Sequence, residues 1–352
     1  MSTSEITIAG RTIGVGHPTY VIAEISANHG GGLPQAERLV RAAADAGADA
    51  VKLQTYTADS LTLDSDQEWF RVGKGTLWEG RTLHVLYEEA HTPGEWHERL
   101  FALGRELHVD VFSSPFDRAA VELLDRLDAP ALKIASFELV DLELIAVAAA
   151  TGRPLILSTG MASAEEIDAA VQTARAAGAG GIALLRCNSA YPASPAEMDL
   201  RTIPDMARRW DVPIGFSDHT LGTTAAVTAV ALGACVLEKH ITMSRAEPTA
   251  DAAFSLEPDE FAAMVDAVRE AEAELGGVRY GPSPHEEASL AFRRSLFVVA
   301  DVAAGEVFSP QNVRSIRPGN GLAPRHLPSV IGKKAARDLK RGTPLSLDAV
   351  VP

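Results

Sequence analysis

Two lysines, Lys52 and Lys133, stand inside otherwise apolar runs, AVKLQTY at 50–56 and ALKIAS at 131–136. A lysine buried among aliphatic side chains needs an anion or a carboxylate partner. Two of them, with hydroxyls nearby, suit a ligand that carries a phosphate and a carboxylate together. Three readings stay open: that anion pocket, structural pairing with Glu24 or Glu138, and a Schiff-base lysine as in an aldolase. Two histidines, His219 and His240, close the runs VPIGFSDH and CVLEKH. If those runs are neighbouring strands, the imidazoles meet and can hold a divalent metal in a partly open site. Asp251 follows the second run, as a further ligand or an acceptor for a sugar hydroxyl. His29 and His91 are candidate rim residues.

The elements that must position these residues repeat one pattern. Short aliphatic runs at 21–28, 50–56, 109–115, 131–136, 155–160, 181–188, 212–219 and 235–242 read as strands. Ala/Leu-rich stretches with helical spacing lie between them, at 35–46, 95–106, 119–127, 164–176 and 223–232, with a last one at 258–275. Glycines at 47 and 233 end helices just before strands. Eight strands alternating with helices predict an α/β fold, a (β/α)8 TIM barrel. A doubly wound sheet is the alternative, but no GxGxxG follows the first strand. Barrel enzymes build their sites at the C-terminal strand ends. Each predicted strand carries polar residues there: Glu24 and Asn28-His29; Lys52, Gln54 and Tyr56; Ser113-Ser114; Lys133, Ser136 and Glu138; Ser158-Thr159; Asn188-Ser189 with Tyr191; Ser217-Asp218-His219; and Glu238-Lys239-His240. Any one alone reads as an ordinary loop start; the ensemble reads as a site.

About forty residues, 57–94, separate the second strand from its helix, and a loop that long is functional or structured in its own right. Gly- and Pro-rich residues from 276 begin a linker over 276–292, between a barrel at 1–275 and a mostly-β module at 293–352. That module contains a weak duplication, DVAAGEVFSPQNV at 301–313 against DLKRGTPLSLDAV at 338–350. Its RSIRPGNGL segment sets Arg314 and Arg317 beside a tight loop, either as a solvated turn or as a carboxylate clamp.

Net charge is −15, which argues against a nucleic-acid surface. Residues 293–352 carry ten basic and four acidic side chains, so an acidic body faces a basic tail. No apolar run is long enough for a membrane span, and the N-terminus does not read as a signal peptide. The two cysteines, Cys187 and Cys235, sit in apolar runs and read as buried structural thiols in a reducing cytoplasm.

The motifs AEISANHGG, VKLQTYTADSLTL, FSSPFD, KIASFEL, LSTGMA, CNSAYPA, GFSDHT, EKHIT and DAAFSLEP occur in this order. Together they resemble the sialic acid (nonulosonic acid) synthases over nearly the whole chain. The tail, with RPGNGL and IGKKA, resembles their antifreeze-like C-terminal domain, also called the SAF domain. Within the family, GTLWEGRTLHVLYEEAHTPGEWH is similar to the pseudaminic acid synthase branch.

The resemblance implies condensation of phosphoenolpyruvate with an acetamido sugar, with a divalent metal, Mn2+ or Mg2+, on His219 and His240. It assigns phosphoenolpyruvate to Lys52, Ser114, Lys133, Ser136 and Ser158, and a proton or water role to Glu138. Sugar contacts fall to Glu24, Gln54, Tyr191 and Asp251. The family's CTNxYP pattern stands here as CNSAYP, so a phosphate contact goes to Asn188 or Ser189 without a choice between them. Arg317 corresponds to an arginine given by the partner subunit of a domain-swapped homodimer.

Overall fold

The computed structural model describes residues 5–73 and 78–351. The chain divides into two compact units, Met1–Gly276 and Gly277–Pro352. The first begins with an antiparallel hairpin, β1 (Ile6–Ile8) and β2 (Arg11–Ile13), whose isoleucines join the main core. Then come β3 (Tyr20–Glu24), β4 (Ala50–Thr55), β5 (Asp110–Pro115), β6 (Leu132–Ile134), β7 (Pro154–Ser158), β8 (Gly181–Cys187), β9 (Ile214–Asp218) and β10 (Val236–His240). These eight strands are parallel and close into a barrel in the order β10-β3-β4-β5-β6-β7-β8-β9. The TIM barrel expected from the alternation is therefore present, with one strand overlapping each predicted run.

Several strands end earlier than their runs. The first stops at Glu24, and Asn28 and His29 lie on a 3-10 turn, Ser26–His29, not on the strand. Asn28 donates to the Ile241 carbonyl and to the Ser255 hydroxyl, both at 2.8 Å, which pins the loop after β10 to this turn.

The barrel is wrapped by α1 (Leu33–Asp45), α4 (His97–Leu107), α5 (Arg118–Arg126), α6 (Leu142–Ala149), α7 (Ala164–Ala176), α8 (Thr202–Trp210), α9 (Thr224–Ala231) and α10 (Pro258–Leu275). In α7 the Ser163–Glu166 capping box starts the helix, and Ile167, Ala170, Val171 and Ala174 form its buried stripe. Two helices escaped the sequence pattern. In α6, LELIAVAA is too uniformly apolar to show a period, and α8 carries Pro204 in its first turn, where a proline is tolerated. The long insertion contains α2 (Ala58–Leu61) and α3 (Leu83–Ala90), and residues 74–77, which include the first half of its GTLWEG stretch, lie outside the described residues.

The second unit pairs β11 (Ser295–Val298) with β12 (Val313–Ile316), and has one short helix, α11 (Leu327–Val330). Its sequence duplication is a structural one. Val302 and Leu339, equivalent positions of the two copies, exchange backbone hydrogen bonds of 2.9 and 2.8 Å. Asp301 accepts from the Arg341 amide at 2.8 Å and Asp338 accepts from the Ala304 amide at 2.7 Å, so each aspartate caps the other copy's turn. Phe308 and Leu345, also equivalent, fill the small core. A 3-10 stretch, Pro284–Phe292, occupies part of the segment read as linker. Among the described residues no helix is long and apolar enough to cross a membrane.

Gly215 lets β9 lie close to β10. A Cβ there would stand 2.4 Å from the Val236 carbonyl oxygen and 2.5 Å from Leu185 Cδ2. Overpacking of a rigid core costs roughly 1–3 kcal/mol. Gly215→Ala is therefore expected to lower stability by about that amount in urea unfolding, while Gly277→Ala, in open space, changes it by under about 0.5 kcal/mol. Equal stability of the two variants would contradict this packing.

Candidate active site

A cavity of about 680 Å³ opens where the strands end, and its lining follows the two-residue period of the strands. Lys52, Gln54 and Tyr56 line it from β4 and its end, Ser217 and His219 from β9 and its end, and Glu238 and His240 from β10. The alternate residues face away. Lys239 and Asp218 form a fully buried pair at 2.8 Å, and Lys239 also donates to the Thr220 carbonyl. Ser113 joins Thr55 at 2.6 Å, which in turn meets His97 at 2.7 Å. These polar strand-end residues are structural, which corrects the expectation that all of them converge.

At the cavity floor lie four buried charges from four strands: Glu24, Lys52, Lys133 and Glu238. The Lys52 ammonium sits 2.5 Å from Glu24 Oε2, 3.8 Å from Glu238 Oε2 and 3.3 Å from the Ser114 hydroxyl. Lys133 donates to the Ser158 hydroxyl at 2.6 Å and the Ile134 carbonyl at 3.2 Å, with Glu238 Oε2 at 3.9 Å. Glu238 accepts from Ser217 through Oε1, while Oε2 is buried without a hydrogen bond. Burial pushes Glu238 up, but the two ammoniums outweigh it and hold the carboxylate below its ordinary value. Burial raises Glu24 against the opposing pull of Lys52. An ammonium has three donors; each lysine therefore retains one for a ligand.

Beside Lys133 the ends of β6, β7 and β8 bring three hydroxyls together. The Gly160 amide donates to Ser136 at 3.1 Å, and a Cβ on Gly160 would stand 2.3 Å from the Ser189 hydroxyl and 2.7 Å from that of Ser136. Glycine is what allows this approach. Asn188 is turned away: its side chain donates to the Glu197 carbonyl at 3.2 Å and accepts from the Ala190 amide at 2.9 Å. Ser189 lines the cavity and Asn188 does not. Ser114 reaches the site only through Lys52.

His219 and His240 end adjacent strands, with ring centroids 5.3 Å apart. His219 Nδ1 faces the Asn188 carbonyl at 2.8 Å, while His240 Nδ1 is buried with no partner. Burial, reinforced by nearby cations, keeps His240 well below its ordinary value and so neutral. Tyr191 packs at 4.4 Å from His219 and 5.9 Å from Trp78. The insertion supplies an apolar wall of Leu61, Trp78, Leu83, Leu86 and Tyr87. Glu138, on the 3-10 turn after β6, has a buried oxygen without a partner, and burial pushes it up to about 7.

Asp251 lines the cavity from the loop after β10. His29 is buried against Trp96 and lies behind the cavity wall; neither it nor His91 is among the lining residues. Arg314 belongs to β12 of the second unit, and Arg317 to the exposed loop that follows it.

Sequence reasoning placed Glu238 in the strand-end ensemble but gave it no role of its own, although its i, i+2 relation to His240 places it on the same face. It missed Ser26 and Cys187. The thiol of Cys187 lines the cavity 3.8 Å from His219 Nδ1, unlike the purely structural Cys235, which burial pushes up to about 12.

The NeuB family model matches residues 39–280, and the SAF domain model matches residues 293–351. The chain belongs to the NeuB family. It is 44% identical over 326 residues to the pseudaminic acid synthase of Campylobacter jejuni, covering 93% of this chain and 95% of that one. It is 41% identical over 335 residues to that of Helicobacter pylori, covering 95% and 98%. The crystal structure of the Bacillus subtilis spore coat polysaccharide biosynthesis protein spsE superposes with a TM-score of 0.67 at 35% identity, covering 99% of both chains.

NeuB members generally use a divalent metal, and act on phosphoenolpyruvate and sugar substrates. The neutral His240 ring, with its unpartnered Nδ1, beside the ring of His219 fits such an ion. Among the described residues no group of three or more His, Cys, Asp or Glu could hold one alone. Water or substrate oxygens would complete the shell, as in an open catalytic site.

Glu138 gives this NeuB site a pH signature. Its carboxyl binds a proton more tightly in the native protein than at its ordinary value of 4.5. Stability therefore falls as pH rises from about 4.5 to about 7. Glu138→Gln is expected to raise the urea midpoint relative to wild type at pH 8 and to leave it unchanged at pH 4. Parallel midpoints at both pH values would contradict the shift.

Proposed function

We propose that this protein is a pseudaminic acid synthase. It condenses phosphoenolpyruvate with 2,4-diacetamido-2,4,6-trideoxy-altropyranose in the cytoplasm and releases phosphate by C–O cleavage. The observation that carries the reading is one cavity holding two buried lysines, each with a spare donor, opposite two facing histidines.

Lys52, Lys133 and the hydroxyls of Ser136, Ser158 and Ser189 bind the phosphate and carboxylate of phosphoenolpyruvate. A dianion here replaces solvation that the two ammoniums lost on burial. A divalent metal on His219 and His240, Mn2+ or Mg2+, would supply Lewis-acid polarisation of the sugar aldehyde. The methylene carbon of phosphoenolpyruvate attacks that aldehyde: the C–C bond forms as the C=O π bond breaks, and the aldehyde oxygen takes up a proton to become a hydroxyl. Water then adds to the former enol carbon, and the C–O bond to phosphate breaks. Glu138, with its carboxyl near 7, takes the proton of that water. Tyr191, Gln54, Glu24 and Asp251 hold the sugar. Arg317 reaches a carboxylate from the partner subunit of a domain-swapped homodimer.

Two relatives named pseudaminic acid synthase, 41% and 44% identical over most of the chain, support the choice of sugar. So does the apolar wall of Trp78, Leu83, Leu86 and Tyr87, which suits a deoxygenated sugar with acetamido methyls. Lys133 donates to a hydroxyl and a carbonyl and has a carboxylate at 3.9 Å, so it is placed for an anion. Burial lowers its proton affinity, and borohydride trapping with substrate tests the Schiff-base aldolase reading.

Phosphate release from phosphoenolpyruvate with Mn2+ separates the branches. Turnover is expected with the 2,4-diacetamido-2,4,6-trideoxy-altropyranose and not with N-acetylmannosamine. Release with N-acetylmannosamine alone would make the protein an N-acetylneuraminate synthase; release with neither, but with the legionaminate precursor, would make it a legionaminate synthase.

A further inference from the structure

Ser26 follows the first barrel strand and has a backbone φ of +46°. That is the left-handed region, which a serine adopts only under constraint and a glycine adopts freely. The side chain is buried at 3% exposure and lines the cavity. A strained residue kept at a cavity wall implies a use for its side chain.

The hydroxyl has two partners from distant parts of the chain. It donates to Asp251 Oδ2 and accepts from Gln54 Nε2 at 3.0 Å. The other Gln54 amide proton goes to Glu24 Oε1 at 3.1 Å. An ionised carboxylate only accepts, so with Glu24 and Asp251 ionised the chain runs one way: Gln54 donates to Glu24 and to Ser26, and Ser26 donates to Asp251. The Ala27 amide also approaches Asp251 Oδ2, at 3.5 Å. Both hydrogen bonds to this carboxylate go to Oδ2, so Oδ1 is left for a ligand. Gln54, with its amide protons spent, likewise offers its carbonyl. The wall built on Ser26 therefore presents acceptors, and its complement is a ligand rich in O–H and amide N–H donors.

We propose that Ser26 is a positioning residue for the acceptor sugar: its hydroxyl locks Gln54 and Asp251 as hydrogen-bond acceptors toward the hydroxyl and acetamido N–H groups of the substrate. This rests on the reading of the protein as a nonulosonic acid synthase. The lysines that face phosphoenolpyruvate are not hydrogen-bonded to Ser26, so the effect of its loss is selective for one substrate.

Ser26→Gly separates this role from a structural one, because glycine relieves the left-handed backbone while deleting the hydroxyl. The expected result is an unchanged or higher melting temperature, a KM for the acceptor sugar raised tenfold or more, and a KM for phosphoenolpyruvate within twofold of wild type. Ser26→Ala is expected to show the same kinetic split with a lower melting temperature. An unchanged acceptor KM in Ser26→Gly would overturn the proposal, and so would an equal rise for both substrates. The comparison is made with whichever acceptor wild type turns over. A wrong sugar assignment would then appear in wild type and leave the Ser26 comparison intact.

Discussion

Four buried charges at the centre of a barrel constrain everything around them. Glu24, Lys52, Lys133 and Glu238 sum to zero formal charge, yet their pairing is incomplete: Glu238 Oε2 lies 3.8 and 3.9 Å from two ammoniums and accepts no hydrogen bond. Taking such groups out of water costs several kcal/mol per ion, and loose geometry does not recover it. A core chosen for stability would hold aliphatic side chains here. The cluster fits the proposed reading, in which the spare donors of Lys52 and Lys133 meet an anionic ligand.

Holding four charges from β3, β4, β6 and β10 in one place requires a closed barrel with fixed register. A one-residue slip of β10 would exchange Glu238 and His240 for Leu237 and Lys239 on the inner face. The buried Lys239–Asp218 pair guards against that slip, since it satisfies the outward residues of β9 and β10 only in the observed register. The same alternation explains why Lys239 and Lys52, alike in sequence, do different things.

The eight strands, their order along the chain and the paired histidines were legible in the sequence, whereas the alternation was not applied to the strand ends, whose polar residues were all expected to converge. Periods of two and of 3.6 residues are local signals. What escaped depends on contacts that no local pattern records. Ser26 reads as an ordinary loop serine until Gln54 and Asp251 are brought to it. The sequence left Asn188 and Ser189 as equals; only the local hydrogen bonds of Asn188 to Glu197 and Ala190 separate them. The insertion read as a long loop because its helices are short, and its role as a cavity wall rests on Trp78 and Tyr87 returning to the barrel mouth. In the second unit the duplication was visible, but not that its two aspartates cap each other's turns.

The claim that these lysines exist for an anion is tested most directly by titrating phosphoenolpyruvate into Lys133→Met by calorimetry. Methionine keeps the length of the side chain and removes the charge. The account predicts that affinity falls on the order of a hundredfold, as expected for losing a charge-assisted contact of about 3 kcal/mol, while the variant remains folded. Undiminished binding of phosphoenolpyruvate by folded Lys133→Met would contradict it.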